Sequence, residues 1–254
     1  MDTWHRAIAF MRALDQGIAE EVRPFQWGRG LINRHLNLVH DANYLVADQV
    51  GDAVSARDLT DAAERVQADL GLQHRRVNVD DQAAADRMAS QFEALGYVPE
   101  RFVIMAHGNR VGAALHRASA VEVDWPRVRV ARSIARKQEP WATPPLVEQL
   151  MRYHELHAQL VPTRYFAALV DGSVVSSCEL RTHDGIAQIE TVETLPEFRQ
   201  RGLARSVVAT ALQAARGHEL IFLVADRDDW PQHFYARLGF EAVGVETRFL
   251  RLLQ

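Results

Sequence analysis

The chain has 254 residues, 48% hydrophobic and 24% charged, the balance of a folded globular protein and not of a disordered or collagen-like one. Lys and Arg number 29 against 33 Asp and Glu, a net charge of −4, which argues against the strongly basic face of a nucleic-acid binder. No window holds the roughly 18 consecutive apolar residues of a membrane span, the first residues lack an apolar signal core, and the single Cys178 permits no internal disulfide, so the expected setting is cytoplasmic, with neither membrane nor nucleic acid as partner.

In chain order, the front half predicts a helix over 3–19, no hairpin before an extended segment over 36–48, and a helix over 59–70. An apolar strand over 74–79, a helix over 81–95 and a strand over 101–105 follow. In the back half the alternation over 128–131 predicts a strand, and Pro144-Pro145 opens a helix over 146–160. Asp171-Gly172 and Asp184-Gly185 each join two alternating runs, which predicts a three-strand antiparallel meander over 164–170, 174–182 and 186–194. A helix over 203–216, a continuous apolar strand over 220–225, a helix over 230–238 ending at Gly239 and a strand over 243–250 complete the chain.

The two halves repeat. Leu95-Gly96-Tyr97 leads into a strand as Leu238-Gly239-Phe240 does. The segments 74–79 and 59–70 match 218–223 and 203–214, at a common offset of about 144 residues. A tandem duplication explains this, with domains over 1–124 and 125–254. The front half is acidic and the back half close to neutral, so a polyanionic ligand is expected in the back half.

The chemistry concentrates after the meander, where strand residues Glu190, Thr191, Val192, Glu193 and Thr194 give way to Pro196 and then to Arg199-Gln200-Arg201-Gly202-Leu203-Ala204-Arg205. A helix start offers unpaired backbone N–H groups and the positive end of a dipole. Gly202 permits close backbone approach, Ala204 is small, and three arginines surround the turn, a design suited to a pyrophosphate. It is neither a Walker loop nor a dinucleotide fingerprint.

Arg199-x-x-Gly202-x-Ala204, set between the meander and a helix and followed by Phe234-Tyr235-x-x-x-Gly239-Phe240, resembles the signature of the GNAT superfamily of acyl-CoA-dependent N-acetyltransferases over residues 127–250. The resemblance implies an α/β fold with a mixed, mostly antiparallel sheet flanked by helices, here two such domains in tandem. It implies acetyl-CoA as cosubstrate and no metal. Val192, Glu193 and Thr194 then match the strand end that pairs with the pantetheine arm, next to a bulge. Arg199, Gln200, Arg201, Gly202, Leu203, Ala204 and Arg205 match the pyrophosphate cradle. Tyr235 matches the general acid for the departing thiolate, and Glu190 the general base, with Glu193 as its rival on the other strand face. Asp228 stands where many members carry an asparagine; it caps the last helix but cannot donate to the cofactor. In the front half the cradle position is Ala56-Arg57-Asp58, without glycine, and Phe92 replaces the tyrosine, so that copy is expected to be degenerate and silent.

The implied activity is acetyl transfer to a primary amine of a small molecule, by direct attack; the alternatives are a non-catalytic acyl-CoA-binding regulatory module and a protein N-acetyltransferase. Glu155, Tyr153, Tyr165, Trp141 and Trp230 are candidate contacts for the amine. His154-Glu155-Leu156-His157 is not a zinc site; it reads as an ordinary helix face, with a helix lining the substrate mouth as the alternative, and His35, His40 and Asp41 read as loop residues, with a cleft between the halves as the alternative. Cys178 reads as core. Monomer and homodimer are both open.

Overall fold

The computed structural model describes residues 1–108 and 120–253. Helix α1 (Thr3–Ile18) is followed by strands β1 (Glu21–Phe25), β2 (Gly28–Ile32) and β3 (Tyr44–Ala47), helix α2 (Ala56–Gln67), strand β4 (His74–Val79), helix α3 (Gln82–Ala94) and strand β5 (Val98–His107). The second half runs β6 (Val121–Val123), α4 (Trp125–Lys137), α5 (Pro144–Leu160), β7 (Thr163–Val170), β8 (Ser173–His183), β9 (Ile186–Thr194), α6 (Leu203–Ala214), β10 (Leu220–Asp226), α7 (Pro231–Ala236) and β11 (Phe240–Leu252).

The described strands form one sheet in the order β1-β2-β3-β4-β11-β5-β10-β9-β8-β7-β6. The pairs β3/β4 and β9/β10 are parallel and the others antiparallel. The two halves interlock through their last strands. β11 of the second half pairs with β4 of the first, and β5 of the first pairs with β10 of the second. β5 and β11 pair with each other along nearly their full length, with one irregularity between Ala242 and Gly244. A single sheet therefore crosses both repeats, and its centre is the exchange.

Local chemistry explains most elements. Both Asp-Gly hairpins are present, with left-handed φ at Asp171 and Gly172 (49° and 78°) and at Asp184 and Gly185 (46° and 73°), the conformation a two-residue turn matched to strand twist requires. Thr143 caps α5 by accepting from Leu146 N at 3.4 Å, ahead of the two prolines. One apolar cluster, including Phe166, Leu180, Val207 and Leu212, lies under α6. A second lies under α2 and α3, where Phe92 stacks on Phe249 at 3.9 Å. The α1 helix covers the middle: Phe10 meets Phe222 edge-on at 5.8 Å, so a front-half helix closes over a back-half strand.

Three expectations need correction. Residues 128–131 lie in α4, not in a strand; four residues of Val-Arg-Val-Ala satisfy a two-residue alternation, but Val128 and Arg132 are buried one turn apart and Pro126 sits in the first turn. The front half does hold a hairpin, β1–β2, paired from Glu21/Ile32 to Phe25/Gly28 through Gln26-Trp27, a turn without the Asp-Gly signal. The segment over 36–48 is not extended throughout: it includes the end of a 3₁₀ turn at Arg34–Leu36 and a second at His40–Ala42, and only Tyr44–Ala47 is strand.

Buried charge knits the halves together. Arg12, 4% exposed, donates to Asp80 at 2.6 Å and to Glu246 at 2.5 Å, and Arg248 donates to Glu246 at 2.8 Å. Two histidines in these interior networks, His74 and His154, are each held down to about 4, burial being the first cause. Both are neutral in the fold and take a proton near their ordinary value of about 6.5 when unfolded. The unfolded chain thus binds more protons between those values, so stability is full above about pH 6.5 and falls as the pH drops toward 4. A melting temperature that stays constant from pH 7 to pH 4 would contradict this.

Candidate active site

The site begins where β9 leaves its neighbour. Its parallel pairing with β10 covers only Ile186, Ala187 and Gln188, opposite Leu220, Ile221 and Phe222. On the other side, the register with β8 shifts between Glu179/Glu190 and Ser177/Glu193, so Thr191 and Val192 together oppose Cys178. Thr191 takes φ 49°, a left-handed value costly for a β-branched residue and the hallmark of a bulge. The two strands splay beyond this point. Glu190 and Thr191 line a smaller cavity of about 300 Å³, and Val192, Glu193 and Thr194 line a larger one of about 1040 Å³.

The larger cavity continues over the turn before α6. Gln200 and Gly202 are left-handed, at φ 62° and 76°. The first backbone bond of the helix is Ser206 N to Gly202 O, at 3.1 Å, and no side chain caps it. The amides of residues 203–205 have no acceptor among the described residues. A Cβ on Gly202 would meet nothing within 4 Å. Arg199 donates Nε to Thr194 O at 3.2 Å and lines the cavity, as do Gln200, Leu203, Ala204 and Arg205. Free N–H groups, open space above a glycine and flanking guanidiniums fit a pyrophosphate.

Two expected cofactor residues fall outside this cavity. Arg201 turns back to donate to Glu197 O at 3.1 Å, with its guanidinium 5.1 Å from the Phe198 ring centre. Asp228 does not cap α7; its own N–H donates to Asp226 at 2.8 Å, and Trp230 occupies the cap position. Sequence reading also missed one wall: Ala135 and Arg136 of α4, with Gln138 and Glu139 just after it, line the cavity. Misreading the start of α4 as strand hid it. Trp230, Pro231 and Phe234 face them across the opening.

Tyr235 lies on the larger cavity, 8% exposed, edge-on to Phe240 at 6.0 Å. Burial first, then the Glu190 charge, pushes its phenol up, so it stays protonated throughout the neutral range. Glu190 accepts from Gln188 Nε2 at 2.7 Å and from Thr191 N at 3.1 Å, and has no ion pair among the described residues. Burial is the largest influence on it and raises its carboxyl above the ordinary range, against the opposing pull of Arg181. Glu193 differs: Arg136 and Arg132 both pair with its carboxylate. Arg136 also lines both cavities, so they meet at this residue and at the bulge.

The smaller cavity is built by both halves. Asp15, Asp41 and Tyr44 enter from the front, Tyr153, His154 and His157 from α5. Asp41 and Tyr44 therefore face a cleft between the halves, contrary to the loop reading; Asp41 pairs with Arg76 at 2.9 Å and Arg248 at 3.3 Å. His35 is in solvent and His40 packs on His74 at 4.4 Å. His154 and His157 are not an ordinary helix face but cavity wall; His154 Nδ1 lies 3.1 Å from the buried carboxylate of Glu179. Of the candidate amine contacts, Tyr153 lines this cavity. Trp141 is in solvent, Tyr165 packs on Trp125 at 5.3 Å, and Glu155 accepts from Trp125 Nε1 at 3.0 Å.

Comparison with known proteins agrees with this geometry. Residues 128–240 match the family model described as "Acetyltransferase (GNAT) family". No curated protein matches the chain significantly. A conserved protein of unknown function from Staphylococcus epidermidis has a similar structure, with 14% identity, a TM-score of 0.73 and coverage of 93% of this chain and 96% of that one. A GCN5-related N-acetyltransferase from Kribbella flavida is similar at 17% identity and TM-score 0.63, covering 98% and 95%. A tandem GNAT protein from the clavulanic acid biosynthesis pathway is similar at 14% identity and TM-score 0.51, covering 82% and 75%. These likenesses show the fold, and the match to the GNAT acetyltransferase family model covers residues 128–240.

Proposed function

We propose that the chain transfers the acetyl group of acetyl-CoA to a primary amine of a small molecule. The observation that carries this reading is the junction of the two cavities at the β9 bulge, with a base on one side and a phenol on the other. The uncapped start of α6 and its flanking Arg199 and Arg205 hold the pyrophosphate. The freed edge of β9 at Val192, Glu193 and Thr194 pairs with the pantetheine arm. The thioester supplies the acyl group. The amine binds in the smaller cavity, which both halves enclose, and its size suits a small molecule. Glu190 takes the amine proton, directly or through water, the nitrogen attacks the thioester carbonyl, and Tyr235 gives its proton to the thiolate that leaves.

The base assignment has a pH signature. With its carboxyl raised by burial, Glu190 loses its proton at a pH above the ordinary carboxylate range. kcat/KM should therefore rise through that titration, and Glu190→Gln should remove the rise and lower the rate by about 10²–10⁴-fold. Survival of the same acid limb in Glu190→Gln would move the base elsewhere. Glu193→Gln is not an equivalent control, because it breaks the ion pairs with Arg132 and Arg136.

The front half, residues 1–124, takes no acyl-CoA in this reading. Its α2 start is closed by its own side chains: Ser55 Oγ accepts from Asp58 N at 3.3 Å, and Asp58 accepts from Ser55 N at 2.9 Å. Phe92, the counterpart of Tyr235, is fully buried against Phe249. Its role is to wall the amine cavity. Calorimetric titration should give one acetyl-CoA per chain, and a stoichiometry of two would contradict the assignment.

A further inference from the structure

We propose that the acceptor carries a second ammonium group besides the nitrogen that is acetylated, and that Asp15 and His157 hold it. This rests on reading the smaller cavity as the acceptor site. His157 is 1% exposed, and its Nδ1 lies 3.0 Å from the backbone carbonyl of Tyr153. A carbonyl only accepts, so Nδ1 carries the hydrogen, and in the singly protonated ring this leaves Nε2 as an acceptor. That Nε2 is buried and has no hydrogen-bond partner among the described residues. It sits 3.4 Å from Asp15 Oδ1, another acceptor, on the wall of the cavity. In that tautomer no hydrogen lies between Nε2 and Asp15 Oδ1; Oδ1 accepts from Tyr153 OH at 3.4 Å, whereas Nε2 is left unsatisfied, which is costly in a buried acceptor. An ammonium, with three N–H donors and a positive charge, satisfies both.

The charges around them point the same way. The other oxygen of Asp15 accepts from Tyr44 OH at 2.5 Å, and Arg12 approaches Asp15 only to 3.9 Å because its short contacts go to Asp80 and Glu246. Glu190 and Asp226, which line the same cavity, have no ion pair among the described residues, and Asp15 has only the long one to Arg12. Met11, Leu14, Val39 and Leu150 line the same space and suit methylenes. A zwitterionic amino acid fits less well, since Arg12, Arg136, Arg181 and Arg248 are already engaged by acids of the chain. The substrate class is a short aliphatic diamine or polyamine.

The test compares 1,4-diaminobutane with butylamine on the full chain. kcat/KM should favour the diamine by about tenfold to a hundredfold, the range of a charge-assisted contact, and Asp15→Asn should abolish the preference. In parallel, ¹⁵N spectra of the His157 ring in the wild-type protein should show a neutral ring protonated at Nδ1, with the Nε2 signal shifted by 1,4-diaminobutane and not by butylamine. Equal kcat/KM for the two amines, a preference that survives Asp15→Asn, or an Nε2 signal that the diamine leaves in place would overturn the proposal. A shifted Nε2 signal without acetylation of either amine would support the subsite while sinking the transferase reading.

Discussion

Tyr235→Phe should lower kcat by about 10²–10⁴-fold while leaving acetyl-CoA affinity close to that of the wild type. The substitution removes one hydroxyl and keeps the ring that packs on Phe234 and Phe240. A merely structural tyrosine would therefore tolerate it. The chemical case rests on position and protonation. The residue lies on the wall of the larger cavity, the proposed cofactor site, and burial together with the nearby Glu190 charge pushes its phenol up. The same Coulomb coupling places it within electrostatic reach of the base, as a site that takes a proton from one group and delivers one to another requires. The loss should appear across the pH range, because water is a poorer-placed donor than the phenol. Wild-type turnover in Tyr235→Phe would end its role as acid.

Gly202→Asp should abolish measurable acetyl-CoA binding, with a loss of about 10²-fold or more, while the melting temperature changes little. Three effects act together. The free amides of residues 203–205 are the proposed binding groups, and a carboxylate beside them can cap the helix itself, in competition with the phosphate. The added charge repels the pyrophosphate. The left-handed φ of 76° adds backbone strain, which aspartate tolerates better than most residues. Losing one or two charge-assisted contacts accounts for the expected magnitude. Gly202→Ala separates the causes: it carries the strain without the charge, and a Cβ there meets no atom within 4 Å, so it should retain part of the affinity. Unchanged binding in Gly202→Asp, measured by calorimetry, would remove the turn from the site.

What the sequence showed and what it hid divide along chain distance. The Asp-Gly hairpins, the turn at Gly202, the tyrosine of α7 and the repeated helix-strand-helix-strand order are local patterns, and each is where the residues place it. The strand exchange is not local. β5 and β11 have the same alternation whichever strand they pair with, so nothing in their composition reveals that they trade sides. The β1–β2 hairpin lacks a turn signature at Gln26-Trp27, and the start of α4 offers only four residues to decide between two periods. The acceptor cavity was least legible of all. Tyr44 reaches Asp15 across 29 positions and Tyr153 across 138, and no spacing rule links such residues. Arg136, which touches both cavities, became a candidate only once α4 was seen to be helix.

The most direct test of acetyl transfer mixes the chain, acetyl-CoA and an amine panel, and measures free thiol together with the mass of the amine. Thiol released in equal amount to an amine heavier by one acetyl group is the predicted result. Binding of acetyl-CoA at one site per chain, with no thiol above the enzyme-free rate for any amine, would contradict it and leave the chain an acyl-CoA-binding module.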